Sequence, residues 1–303
     1  MVASLIRSLS RQTARWQRSI VKRTHIAPVL AAVPKDADIL EIGGGYNPRY
    51  RKSAYPKVRH LDHASTEALR AKYAADPTVA HLVGDIQDID FVFDGRPIHE
   101  LVPASLRFDV IYGSHVIEHQ VDLIGHLQSL ERLLKPGGRV IEMIPDLRTT
   151  FDALRFPSVT SDVLLAHDQR HTIHQGKQVF DGLSREIDRN LGHRMRSADF
   201  AGVRFQRDLH QAREAMRAAQ APGARYSDIH AWTFTPESFE LLMIELRLLG
   251  LIRLAPSFMS PAYGNQFCAV LEPSSDPPDG PEGAVRESLE RRRMVLSQAL
   301  RFR

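Results

Sequence analysis

Between residues 37 and 145 short apolar runs alternate with stretches of helical spacing, the pattern of βαβ units in a parallel sheet. The predicted strands are DILEI (Asp38–Ile42), VRHLD (Val58–Asp62), HLVGD (His81–Asp85), FDVIYG (Phe108–Gly113) and RVIEMIP (Arg139–Pro145). Amphipathic spacing predicts a helix over Val121–Leu134, and Lys135-Pro136-Gly137-Gly138 predicts its stop. The rhythm breaks over residues 147–229, which are rich in Arg, His and Asp with helical spacing and no convincing strand. A helical insertion is expected there. Thr235 as N-cap and Pro236 at the first helical position open a further helix that runs through Leu249 and ends at Gly250. LIRLAP and NQFCAVLEP (Asn265–Pro273) then predict an antiparallel pair at the sheet edge. The fold class is therefore α/β: a doubly wound, seven-stranded, mostly parallel sheet with a helical insertion.

The organisation follows. Residues 1–26 place Leu5, Ile6, Leu9, Trp16 and Ile20 among regularly spaced arginines, as a basic amphipathic helix would. Residues 27–146 form the α/β core, 147–229 a lid on the acceptor side, and 230–273 the completion of the core. Residues 274–303 hold the linker SSDPPDGPEG (Ser274–Gly283) and a basic helix.

Composition changes this picture mainly through charge. The 303 residues carry a net +4, but residues 1–34 hold +6 and no acid, residues 285–303 hold +4, and the remaining body carries −6. The basic character belongs to the two ends. They suit docking on the body, contact with an anionic membrane surface or partner, or targeting. A nucleic-acid-binding body is disfavoured. One cysteine, Cys268, excludes an intramolecular disulfide and points to a reducing compartment. No apolar run approaches a membrane span and the start lacks a signal-peptide apolar region, so a cytoplasmic protein is expected, with contact at the inner membrane face as one option.

The strongest chemical feature is EIGGGYNP (Glu41–Pro48), directly after the first strand. Glycines at such a strand-to-helix turn let backbone approach a ligand closely. The dinucleotide pattern G-x-G-x-x-G begun at Gly43 would need glycine where Pro48 stands, which disfavours NAD or FAD. A nucleoside ligand bearing an amino acid fits better. Asp62 ends the second predicted strand, where an acid accepts from ribose hydroxyls. Asp85 ends the third, where a carboxylate accepts from the adenine amine while Ile86 packs on the ring. Ser114, His115, Glu118 and His119 follow the fourth strand.

DILEIGGGYNP, VRHLDH, VGDIQDI and FDVIYGSHVIEH…LERLLKPGGRVIEMIP resemble, in order and spacing, the class I S-adenosylmethionine-dependent methyltransferases, in particular the ubiquinone and menaquinone C-methyltransferase group. FDALRFPS, DVLLAH and HAWTFTPESFELL are loosely similar to methyltransferases of bacterial surface-polysaccharide clusters. The resemblance implies a Rossmann-like methyltransferase fold and S-adenosylmethionine as cofactor. It assigns cofactor contacts to Glu41, Gly43, Gly45, Tyr46, Asn47, Asp62, His63, Asp85, Ile86, Ser114 and His119. The implied reaction is methyl transfer to a small molecule or carbohydrate, with a hydroxyl favoured and nucleic acid not expected, since no NPPY-type string follows the fourth strand. A near-neutral imidazole beside the cofactor would take the hydroxyl proton, and His115 is the candidate base.

His167, His171 and His174, at i, i+4 and i+7, would share one helix face, with Gly176 ending that helix. Asp152, Arg155, His167, His171 and His230 are acceptor-side candidates. No metal is assigned. HVIEH also reads as the H-x-x-E-H string of inverted zinc peptidases, but a third ligand is lacking. Acids hold magnesium at this helix start in some quinone O-methyltransferases, whereas His115 stands at the first acidic position. The rival from another class is a non-catalytic methyltransferase-like scaffold or partner protein.

Overall fold

The computed structural model describes residues 21–188, 203–274 and 289–297. Its seven strands are β1 (Ile39–Ile42), β2 (Val58–Asp62), β3 (Phe91–Val92), β4 (Phe108–Ser114), β5 (Leu134–Pro145), β6 (Leu254–Met259) and β7 (Gln266–Pro273). They form one sheet in the order β3-β2-β1-β4-β5-β7-β6. β7 runs antiparallel to both β5 and β6, and every other pairing is parallel. The expected antiparallel pair is present, with β6 at the edge. Successive strands are added outward in opposite directions from β1 and β4, and open α/β sheets bind ligands outside the carboxyl ends of strands at such a switch point.

Each central strand is apolar on both faces because helices cover both. Leu40, Ile42, Ile111, Val140 and Ile144 face one buried cluster. Ile39, Val110, Tyr112, Ile141 and Met143 face the other. The helices in chain order are α1 (Ala27–Ala31), α2 (Thr66–Ala74), α3 (Ile98–Leu101), α4 (Leu123–Leu133), α5 (Thr160–Asp168), α6 (Gly176–Ser184), α7 (Leu209–Ala219) and α8 (Pro236–Leu248). α4 buries Leu123, Ile124, Leu127, Leu130 and Leu133 on the first face beside Phe239, Leu242, Met243 and Leu246 of α8. At about 1.5–3 kcal/mol for each fully buried large aliphatic side chain, that seam is a major stabilising element. α8 starts as expected: Thr235 accepts from the Ser238 N–H, Ser238 Oγ accepts from the Thr235 N–H, and Gly250 follows the helix with φ 71°.

Two expectations are corrected. HLVGD is not the third strand: Ala80–Asp85 is a 3-10 turn, and β3 is the two-residue Phe91–Val92, paired with Leu61 and Asp62. Leu82 and Val83 are only half-buried, so this run lacks the two covered faces that hold a central parallel strand. The histidine cluster does not share one helix. α5 ends at Asp168, Arg170 takes φ 52°, and Gly176 opens α6 rather than closing a helix.

The insertion is helical as expected, with α5, α6 and α7 and an isolated bridge between Ile187 and Phe205. Ile26 and Leu30 are buried with Val33, Tyr50 and Tyr55 on the second face, so the described end of the N-terminal basic segment docks on the body. Residues 289–297 form α9; there Arg291 donates to Glu240 at 2.7 Å, Arg292 to Glu245 at 2.8 Å, and Val295 is fully buried. Most of the predicted 1–26 helix and the 274–283 linker lie outside the described residues. Among the described residues no helix is long and apolar enough to cross a membrane.

Candidate active site

The glycine turn is built by two buried acids. Glu41, at 1% exposure, accepts the Arg49 N–H at 2.6 Å and the Tyr50 N–H at 2.7 Å. Burial pushes its carboxyl up to about 7 against the pull of those two donors. Asp62, at 3% exposure, accepts the Gly45 N–H at 3.0 Å and the His63 N–H at 2.7 Å. The carboxylates at the ends of β1 and β2 thus hold Gly43–Gly45 between them. The turn requires glycine at two positions. Gly43 has φ 69°, and a Cβ there would lie 2.6 Å from Val116 Cγ2; Gly45 has φ 49°, with Tyr73 Oη 3.2 Å from such an atom.

Around this turn Tyr46 packs edge-on against Tyr73, with ring centroids 4.8 Å apart, and Asn47 is exposed with its N–H on the Gly44 carbonyl. His63 is exposed; its Nε2 lies 3.2 Å from the Lys72 ammonium, so Nδ1 carries the hydrogen donated to Asp62 at 2.6 Å. Asp85 sits at the end of the 3-10 turn, not of a strand, and is paired with Arg51 at 2.8 Å; Ile86 beside it is buried at 2% exposure.

Beyond β4 the chain turns sharply. His115 has φ 56°, rare for a residue with a side chain, and is held there by its N–H on the Met143 carbonyl at 2.9 Å. Its ring is one-third exposed, with Nε2 2.8 Å from Gln266 Oε1 and Nδ1 3.8 Å from Glu118 Oε1. Ser114 is half-buried at the end of β4. His119 is half-buried and stands edge-on to His230, with centroids 4.8 Å apart. Burial holds the His119 pKa down, the Glu118 charge opposing.

The chain leaving the insertion returns to this turn at His230. Its Nδ1 lies 2.6 Å from Asp152 Oδ2, and Arg155 donates to Asp152 Oδ1 at 2.9 Å and to the His230 carbonyl at 3.0 Å. Burial pulls the His230 pKa down, but the bond to Asp152 and the charges of Asp152 and Glu118 leave it above the usual histidine value. Asp152 and Arg155 are therefore buried braces of His230, with both Asp152 oxygens and Arg155 Nη1 engaged in the bracing. His167 lies 2.9 Å from Asp122, His171 bonds Gln169 at 2.8 Å, and buried His174 packs at a tilt against the Tyr226 ring. Of the acceptor-side candidates, only His230 and its braces join the His115–His119 turn. Glu118 joins this group without a signal in the sequence; its buried place beside three imidazoles is visible only once residue 230 is brought back over β4.

Behind the turn, Glu142 of β5 is buried, and neither carboxylate oxygen has a hydrogen-bond partner among the described residues. A Cβ on Gly113 would come 2.9 Å from Glu142 Cδ and closer still to its oxygens, so glycine is required there. Burial first, and the nearby Glu118 charge second, push the Glu142 carboxyl up to about 8. A folded-state value above the unfolded one means that ionisation opposes folding. Stability should fall as pH rises from about 4.5 to about 8 and level off above. Glu142→Gln should flatten that slope, matching the parent near pH 5 and exceeding it near pH 8.5, as read by urea unfolding at each pH.

Comparison with known proteins agrees with the fold. A family described as a methyltransferase domain matches residues 14–246. Similar solved structures include mitomycin 7-O-methyltransferase MmcR, 16% identical over 84% of this chain and 54% of its own, with TM-score 0.36. An S-adenosylmethionine-dependent methyltransferase from Mesorhizobium loti is 21% identical over 41% of this chain and 55% of its own, with TM-score 0.29. The glycopeptide N-methyltransferase MtfA, solved with S-adenosylmethionine, is 19% identical over 39% and 51%, with TM-score 0.27. The chain spans about half the length of the solved structures it matches. No curated protein matches this sequence.

Proposed function

The chain belongs to the methyltransferase-domain family, and from that membership we propose that it transfers a methyl group from S-adenosylmethionine to a hydroxyl of a small-molecule or glycan acceptor. The observation that carries this reading is the juxtaposition of the Asp62-braced glycine turn with the strained His115 turn at the switch point of the sheet. Gly43, Gly45, Tyr46, Asp62, His63 and Ser114 would hold the cofactor: glycines that leave the approach open, and a buried carboxylate with one lone pair beyond the three N–H bonds it already accepts. The bound cofactor supplies an activated methyl group on a sulfonium.

What remains for this chain is to hold the acceptor in line, exclude water and take a proton. His115 suits the last task. Gln266 Oε1 accepts the Nε2–H, which leaves Nδ1 with a lone pair on the side of Glu118. The body charge of −6 on residues 35–284 speaks against a polyphosphate acceptor. Cell extract fractionated into small molecules, glycans, nucleic acid and protein, incubated with methyl-labelled cofactor and the enzyme, should take label in the first two fractions. Label confined to nucleic acid or protein contradicts the acceptor class. With the labelled acceptor in hand, His115→Gln should lower kcat about 100-fold, the lower end for a lost general base, with KM for the cofactor near the parent value.

A further inference from the structure

Glu118 is 1% exposed, and neither of its carboxylate oxygens has a hydrogen-bond partner among the described residues. A carboxylate buried without a partner is among the costliest groups a fold can keep. Three imidazole nitrogens surround its Oε1: His115 Nδ1 at 3.8 Å, His230 Nε2 at 3.8 Å and His119 Nε2 at 3.9 Å. These separations are too long for hydrogen bonds and suit atoms that share a third body.

The far nitrogens of His119 and His230 say which atoms these are. His119 Nδ1 faces the Ile229 carbonyl at 3.2 Å, and His230 Nδ1 faces Asp152 Oδ2 at 2.6 Å. Both partners only accept, so each Nδ1 carries the hydrogen. In the neutral rings each Nε2 then presents a lone pair toward Glu118. With both rings neutral, two lone pairs and a buried carboxylate converge, an arrangement that a cation would stabilise.

We infer that Glu118, His119 and His230 form a binding site for a divalent transition-metal ion of the zinc class. Their ligand atoms all lie within 4.8 Å of one another. Metal–ligand bonds of about 2.0–2.2 Å place two ligands of a tetrahedral ion about 3.4 Å apart, so the two glutamate–histidine separations of 3.8 and 3.9 Å need to contract by about half an ångström and no pair by more than about 1.4 Å. Side-chain rotation covers that. The supporting groups are in place: Asp152 on the far side of His230 is itself held by Arg155 at 2.9 Å, and a backbone carbonyl orients His119. Imidazole and carboxylate donors select zinc, cobalt or nickel over magnesium, which prefers an oxygen shell.

Two histidines and one glutamate leave an open position, as catalytic zinc sites do. The third ligand missing from the string HVIEH is His230, directly after the insertion. Resting on the methyl-transfer reading, the ligand for the open position is an oxygen: water, or the acceptor hydroxyl. The metal would lower the pKa of that hydroxyl, and its proton would pass to His115 Nδ1, on the open side of Glu118.

The test uses full-length protein freed of metal by chelation and titrated with Co²⁺. One equivalent should bind, with visible d–d absorption of a low-symmetry nitrogen–oxygen site, and Zn²⁺ should displace it. Glu118→Gln and His230→Ala should each abolish the band, and Asp152→Asn should weaken binding about 10–100-fold. Glu118→Gln is isosteric and carries the test if His230→Ala does not fold. No Co²⁺ or Zn²⁺ uptake overturns the site, and so does equal uptake by the Glu118 variant. S-adenosylhomocysteine binding is measured on the same metal-free sample. Cofactor binding without metal uptake defeats the metal site alone, whereas metal uptake without cofactor binding defeats the methyl-transfer reading and leaves the metal site standing.

Discussion

Gly45→Val is expected to weaken S-adenosylhomocysteine binding at least about 1000-fold while the protein remains folded. Gly45 has φ 49°, a left-handed conformation that costs a β-branched residue about 1–2 kcal/mol or more. Its N–H is the donor that ties the turn to Asp62, and a new Cβ would lie 3.2 Å from Tyr73 Oη. Strain of this kind is relieved by rotating the peptide, which would release the Asp62 bond and move the backbone that the cofactor must approach. The γ-methyls add bulk on that same side. Together these effects amount to about 4 kcal/mol, or three decades in Kd. Gly45 is half-exposed in a surface turn, so the thermal midpoint should move by only a few degrees. Calorimetric titration alongside a melting curve reads both quantities; binding within tenfold of the parent would show that the turn does not receive the cofactor.

Trp232→Ala should be the most damaging substitution for stability, costing about 3–5 kcal/mol. Trp232 is 2% exposed, its indole N–H donates to the Gln120 carbonyl at 2.6 Å, and its backbone N–H donates to the Glu118 carbonyl at 3.1 Å. It therefore pins the end of the insertion to the turn after β4, and Ala231 and Phe234 are buried beside it in the first-face cluster. Truncation leaves a large cavity and an unpaired carbonyl. The same loss should free His230 from Glu118, so metal uptake should fall with stability. Trp232→Phe keeps most of the volume and should cost less than half as much. Urea unfolding of the three proteins checks the order, and an alanine variant within 1 kcal/mol of the parent would contradict this packing.

Much of the sheet was legible because its signals are local. β1, β2, β4 and β5 coincide with apolar runs bounded by turn residues, and α8 begins and ends on side chains whose capping chemistry is specific. β3 was not legible. It is two residues long, Phe91 is half-buried and Val92 exposed, and no periodicity exists in so short an element, while HLVGD next door carries a stronger apolar run. The i, i+4, i+7 spacing of His167, His171 and His174 suggested one helix face, but spacing carries no record of where a helix stops, and α5 stops at Asp168.

The candidate site divides in the same way. The glycine turn and Asp62 were readable because glycine, strand end and acid follow one another along the chain. Glu41 was read as a ligand contact, yet both its oxygens accept backbone N–H groups within its own turn. Asp152 and Arg155 brace His230, a role that no spacing along the chain signals. Glu118 went unassigned because its significance depends on His230, which reaches it only after the insertion folds back. HAWTF, an apolar run resuming after a polar segment, was the available signal that residue 230 returns to the core.

The central claim is that the switch-point turn receives S-adenosylmethionine. Calorimetric titration of S-adenosylhomocysteine into the purified, metal-free full-length protein tests it most directly. Saturable binding at one site per chain, lost in Gly45→Val, is the predicted result; no heat up to millimolar ligand, with circular dichroism showing an intact fold, would contradict it.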